Sequence, residues 1–160
     1  MKLTTLLLCI SIFVVSVPFA FAQTATTYKV NSLVSDGKKS KEVDSILAFS
    51  EDSFKVTNRK TNTELKQFNY ADIKAADYSY SKKPLLSTGG AIATVVLLGL
   101  LSLPFLFMKK KQHWLSIRTE NDYVVMRLDK NNFRQITNEF QTHQVTVTTV
   151  NEDDSKKKDK

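Results

Sequence analysis

The chain has 160 residues, 42% of them hydrophobic, and a formal net charge of +7. That length allows one small domain and argues against a multi-domain enzyme, and the positive balance favours an anionic partner. The apolar residues are unevenly spread: residues 1–22 hold sixteen, residues 85–108 hold another sixteen, and the rest of the chain is lean.

Residues 1–22 read as an export signal. Lys2 gives the positive start, Leu6–Val17 the short apolar run, and Pro18 breaks the helix ahead of Ala20-Phe21-Ala22. Small residues at alternate positions suit a signal peptidase, so cleavage is expected after Ala22, with an uncleaved anchor as the alternative. The single cysteine, Cys9, lies inside the apolar run behind Leu8, where a lipoprotein signal would have a small residue. Cleavage removes it, which excludes disulfides, thiolate nucleophiles and cysteine-ligated metal from the mature chain. Export makes nucleic acid a poor partner and an anionic lipid surface a better one.

Residues 23–84 read as the first part of a β domain. A first strand is expected near Tyr28–Val34, ending at Ser35-Asp36-Gly37, and Ile46–Phe49 leads into the polar turn Ser50-Glu51-Asp52. Phe54 and Val56 alternate with Lys55 and Thr57, the period of a half-buried strand. A turn at Lys60–Thr63 precedes Leu65–Tyr70, and Asp72 marks a bend where a side chain bonding its own backbone is common. Ala76, Tyr78 and Tyr80 then alternate with Asp77 and Ser79.

Residues 85–108 carry no charge. As a helix, Leu85–Met108 would rise ~36 Å against a hydrocarbon core of ~30 Å, so a membrane segment is expected. Lys82, Lys83, Lys109, Lys110 and Lys111, with Trp114 close behind, are placed for headgroup anchoring. Gly89, Gly90 and Ala93 offer a small-residue face for helix packing, and Pro104 would bend or split the segment. For Trp114 ordinary sheet packing is the competing reading. A single crossing would divide the β domain between two sides of a membrane. Three arrangements avoid that conflict: a re-entrant hairpin, two separate small modules on opposite sides, or a protruding insertion helix.

Residues 109–144 resume the domain. His113–Ile117 is strand-like, with Leu115 and Ile117 on one face, and Thr119–Asp122 turns the chain into Tyr123–Leu128. Asp129 is expected as a helix N-cap. Phe133, Ile136 and Phe140 then form one apolar stripe on a short helix ending near His143, where an imidazole suits the dipole. Residues 145–160 read as a charged, mostly disordered tail.

The order of strands and closing helix resembles a pleckstrin-homology or GRAM-like domain over roughly Tyr28 to His143, apart from the apolar insert. Leu47-Ala48-Phe49, Phe54-x-Val56 and Tyr70-Ala71-Asp72-Ile73 carry the likeness. The pattern His113-Trp114-Leu115-x-Ile117 followed by Leu128-Asp129-Lys130-x-Asn132-Phe133-Arg134-x-Ile136 is similar to a group of uncharacterised bacterial membrane proteins. The resemblance implies a mainly β fold: a small barrel of two packed antiparallel sheets closed by one C-terminal helix, with a hydrophobic membrane helix or hairpin inserted between strands. It also places Lys38, Lys39 and Lys41 in a loop comparable to one that binds lipid headgroups in some domains of this fold.

Chemistry is sparse. The histidines are His113 and His143 only, no metal-ligand spacing occurs, and the glycine-rich phosphate loop and the G-x-S-x-G nucleophile motif are absent. Neither a cofactor nor a small-molecule substrate is indicated, and the protein is read as non-enzymatic. The leading expectation is an exported, membrane-anchored module that binds a lipid surface or a protein partner. The alternative is a structural subunit whose Gly89-Gly90-Ala93 face packs against partners or a second copy.

Overall fold

Strand β3, Ser53–Asn58, shows how the domain is built: Phe54 and Val56 are completely buried while Lys55 between them is exposed. Successive strand side chains point to opposite faces, so this alternation buries one face and wets the other. In a computed structural model, residues 25–35, 40–87 and 109–151 are described. Around β3 lie β1 (Thr26–Ser35), β2 (Ser40–Phe49), β4 (Glu64–Asn69), β5 (Ala75–Ser81), β6 (Gln112–Arg118) and β7 (Tyr123–Leu128). Helix α1 (Phe133–Thr142) and the short β8 (Val147–Thr149) follow.

All eight strands form one sheet in the order β4-β3-β2-β1-β7-β6-β5-β8. This corrects the expected pleckstrin-homology-like barrel of two packed antiparallel sheets. The cause is the length of β1. Its ten residues pair with β2 along one edge, and Asn31–Leu33 pair with Val125–Arg127 of β7 along the other. One strand thus joins what would otherwise be two sheets. The eighth strand makes the sheet mixed, because β8 runs parallel to β5 after α1.

The inserted membrane helix is corrected as well. Among the described residues no helix is long and apolar enough to cross a membrane. The segment expected to begin at Leu85 starts instead as part of the domain. Leu85 is buried and its N–H donates to Ser79 Oγ at 3.2 Å, while Ser87 Oγ donates to Asp77 Oδ1 at 2.5 Å. Residues 85–87 therefore run back over the outer face of β5. Separate modules on opposite sides of a membrane are also overturned. β5 and β6 are antiparallel neighbours, paired from Ala75 opposite Arg118 to Ser81 opposite Gln112. Residues 1–24 and 88–108, including Ala22, Gly89, Gly90 and Ala93, lie outside the described residues.

One core joins both halves of the sheet, with Leu47, Phe49, Phe54 and Val56 from one side and Leu115, Ile117, Val124 and Met126 from the other. Helix α1 closes it. Phe140 meets Phe49 edge-on at 4.9 Å and Phe54 edge-on at 5.0 Å, with Ile136 buried one turn earlier. Such aromatic pairs add ~0.5–1.5 kcal/mol each beyond their burial. The helix starts later than expected: Asn132, not Asp129, is the N-cap residue. Asp129 builds the preceding turn, its Oδ1 accepting Asn131 N–H at 2.8 Å and its carbonyl accepting Asn132 and Phe133 N–H. Asn132 Nδ2 donates to Lys29 O at 2.9 Å and ties α1 to β1.

Candidate functional site

His113 and Tyr80 sit opposite each other at the rim where β5 meets β6. The parity that buries Leu115 and Ile117 turns His113 inward, and there it enters a stack of rings. Phe133 lies 4.1 Å from it at an interplanar angle of 12°, and Tyr80 lies 4.7 Å away on a tilted ring. Tyr78 OH is 2.7 Å from His113 Nδ1. Burial pushes the imidazole below its ordinary pKa, with Asp129 opposing, and burial raises Tyr78, with Tyr80 adding to that. Both groups are therefore neutral near pH 7.

Outward from this stack opens a cleft of about 440 Å³. Lys29 and Asn31 enter it from β1, Tyr80 from β5, and Lys111, Gln112 and His113 from the start of β6. Arg127, Asp129 and Lys130 come from the end of β7 and the turn into α1. Four cations thus face one carboxylate. Arg127 is tied down: its Nη2 contacts Glu42 Oε1 at 2.5 Å, and Asn31 Nδ2 donates to the same oxygen at 2.8 Å. Tyr80 is 54% exposed, the large hydrophobic residue left open at this rim. Cations around an exposed ring suit an anionic group.

A second cleft, about 380 Å³, lies between the end of β4 and the β6–β7 turn, with Asp72, Lys74, Glu120 and Asp122 in its walls. Two of its carboxylates are engaged within the fold. Asp122 takes Lys66 Nζ at 2.6 Å, and Asp72 Oδ2 accepts Asn69 Nδ2 at 2.9 Å rather than turning onto its own backbone. Among the described residues no group of three or more histidine, cysteine or acidic side chains could hold a metal ion.

The residues expected to flank a membrane are distributed as follows. Lys82 and Lys83 are exposed at the bend after β5, and Lys109, Lys110 and Lys111 are exposed ahead of β6. Because Ser81 pairs with Gln112, these two lysine groups flank one rim, and Lys111 also lines the cleft. Trp114 is completely buried, and its Nε1 donates to Ser81 O at 3.1 Å, so the indole packs within the sheet. His143 caps α1, its ring stacked on Tyr70 at 4.2 Å. Lys29, Tyr80, Arg127 and Lys130 are far apart in the chain, share no motif, and meet only through the pairing of β1 with β7, β7 with β6 and β6 with β5.

No family model matches the chain, and no curated protein matches it. Among solved structures, the hSac2 domain from the human phosphoinositide phosphatase Sac2 is similar with a TM-score of 0.49 and 10% identity, covering 94% of this chain and 89% of that one. The C-terminal domain of an unknown protein from Leishmania infantum is similar with a TM-score of 0.42 and 11% identity, covering 83% of this chain and 98% of that one.

Proposed function

We propose that this domain is a non-enzymatic binding module, exported by residues 1–22, whose cleft beside Tyr80 docks on an anionic lipid surface. The observation that carries the reading is the charge lining the cleft: Lys29, Lys111, Arg127 and Lys130 against Asp129 alone. Each cation held near an anionic surface contributes ~1 kcal/mol. Setting aside Arg127, which Glu42 engages, and Lys111, which also has an interaction within the chain, Lys29 and Lys130 supply ~2 kcal/mol, a factor of ~30 in affinity. Tyr80 adds an amphipathic ring of the kind that settles at a headgroup layer.

The test is flotation of the full chain with vesicles of phosphatidylcholine alone and of phosphatidylcholine with phosphatidylglycerol. Apolar partitioning contributes to both, so the difference between them isolates the electrostatic part. Lys29→Glu with Lys130→Glu is expected to reduce that difference at least ~10-fold. Added salt is expected to weaken it as the screening length falls from ~10 Å toward ~3 Å. Unchanged binding of the double variant to the anionic vesicles would remove the proposal. Release by glycerol phosphate at matched ionic strength would identify a soluble phosphoester as the ligand instead.

A further inference from the structure

We infer that the outer edge of β4 docks an extended peptide segment of a partner protein, which adds to the sheet as a further strand and sets a basic side chain over Asp72 and Glu120. The inference is independent of the cleft beside Tyr80 and shares no residue with it.

Backbone direction is the first argument. Strand β4 ends the sheet, and among the described residues no strand pairs with its outer edge. Tyr70 N–H donates to Asp52 O at 3.0 Å, one step beyond the pairing of Ser53 with Asn69. Opposed residues of an antiparallel pair alternate between hydrogen-bonded and non-hydrogen-bonded. Phe68 therefore turns its backbone groups to β3, while Gln67 and Asn69 turn theirs away from it. Beyond that edge a gap separates β4 from the β6–β7 turn. The Lys66 side chain spans it, with Nζ 2.6 Å from Asp122 Oδ1, and no backbone ladder does.

The gap is hollow on both sides of that bridge. The cleft of about 380 Å³ lies against Gln67 and Asn69, and a smaller cavity of about 130 Å³ lies against Leu65 and Lys66. Ser32 lines the smaller one beside Val34 and Val124. It is 1% exposed, it pairs with the core residue Met126, and its hydroxyl has no hydrogen-bond partner among the described residues. A buried hydroxyl without a partner is rare, and a threonine side chain entering the cavity would satisfy it while covering the two valines. In the larger cleft Lys66 matches Asp122, which leaves Asp72 and Glu120 against Lys74. The Glu120 carboxylate is exposed and makes no hydrogen bond or ion pair among the described residues. That excess of negative charge complements a basic side chain. An added strand pairs through its backbone and offers alternate side chains to such pockets. A second folded copy fits less well, because the β6–β7 turn stands across the edge at Asp122 and two chains of net charge +7 repel.

Selection of short random peptides displayed on phage against the full chain tests this. Enriched peptides are expected to be rich in β-branched residues, with an arginine or lysine among them. Methylating the backbone nitrogens of a selected peptide one at a time is expected to abolish binding at every second position and to be tolerated in between, as strand pairing requires. On the protein, Gln67→Pro removes an outward N–H and spares the β3 ladder, a place where an edge strand accepts proline. It is expected to weaken binding about 10-fold. The methylation pattern decides the matter alone if Gln67→Pro does not fold. No enriched peptide, or a loss that is the same at every methylated position, overturns the inference.

Charge and location are read separately. Asp72→Asn with Glu120→Gln is expected to weaken a selected peptide about fivefold, and to leave unchanged the same peptide with methionine in place of its basic residue. Equal losses for the two peptides would overturn the basic partner. Amide hydrogen exchange places the contact: bound peptide is expected to slow exchange at Gln67 and Asn69 at least ~10-fold. Slowing at Lys29 and Lys130 instead would put the peptide in the cleft beside Tyr80 and overturn the inference. Slowing at Gln67 and Asn69 that needs no peptide and grows with protein concentration would make a second copy the occupant and overturn it as well.

Discussion

Replacing Asp77 by Leu removes one half of the most deeply buried ion pair in the described sheet. Asp77 Oδ2 accepts Arg118 Nη2 at 3.0 Å, and the two side chains are 1% and 6% exposed. Ser87 completes the arrangement, donating through Oγ to Asp77 Oδ1 at 2.5 Å, while its carbonyl accepts Arg118 Nη2 at 3.1 Å. At 3.0 Å and an effective dielectric of ~20, the attraction is ~5.5 kcal/mol, set against a desolvation cost of several kcal/mol for each ion. The intact pair therefore contributes little net stability, whereas a lone guanidinium left in its place costs ~3–5 kcal/mol. Asp77→Leu and Arg118→Met are each expected to lower the unfolding free energy by about that amount. The double replacement is expected to return to within ~1 kcal/mol of the parent, because nothing charged is left buried. Urea titration of the full chain followed by fluorescence checks this. The only tryptophan, Trp114, is buried on the same face of β6 as Arg118 and reports the transition. Single replacements costing under ~1 kcal/mol, or a double that equals the sum of the singles, would refute the reasoning.

Two further outcomes follow from the core and the ring stack. Phe140→Ala deletes a completely buried ring that contacts both Phe49 and Phe54. It is expected to cost ~3–5 kcal/mol in the same titration, with a loss under ~1 kcal/mol counting against α1 as the closure of the core. For His113, burial holds the folded pKa below its ordinary value of 6.5 despite Asp129, with Tyr78, Tyr80 and Phe133 as its other close neighbours. The unfolded chain then binds the extra proton between the folded pKa and 6.5. This contribution is complete above that window and is lost as pH falls through it. His113→Gln is expected to flatten the decline of stability on acidification below about pH 6.5, and parallel pH profiles for parent and variant would contradict the assignment.

Much of the fold is legible in the sequence because side-chain alternation carries it. Phe54 and Val56 against Lys55, Leu115 and Ile117 in β6, and the stripe Phe133, Ile136 and Phe140 each report a buried face through their spacing. Sheet continuity is not legible in this way. The second edge of β1 joins β7 through backbone groups at Asn31–Leu33, and backbone hydrogen bonds leave no mark on residue identity. Strand β8 is three residues long with two of them exposed, too short for any period. The outer face of β5 and β6 misleads for a different reason. Asp77, Ser79, Ser81 and Ser116 have the composition of a solvated face, yet all four are buried. Alternation separates two faces of a strand but does not say whether the second is covered. Leu85–Ser87 cover part of this one, and Trp114 is buried there, not held at a membrane boundary.

The candidate site was hidden by the same distinction between local pattern and pairing. Its cations occupy positions 29, 111, 127 and 130, and of these only Lys111 belongs to a lysine run, Lys109–Lys111. Antiparallel pairing of β5 with β6 sets the bend at Lys82-Lys83 beside Lys109–Lys111, and pairing of β7 with both β6 and β1 brings Arg127, Lys130 and Lys29 to the same end. Charges that look scattered along the chain thus converge on one rim, where their fields add within a screening length of ~8 Å. Convergence also explains why reversing Lys29 and Lys130 should matter more than their number suggests. The two changes alter a shared field, whereas a comparable change at the exposed Lys55, on a separate part of the sheet, would leave that field intact.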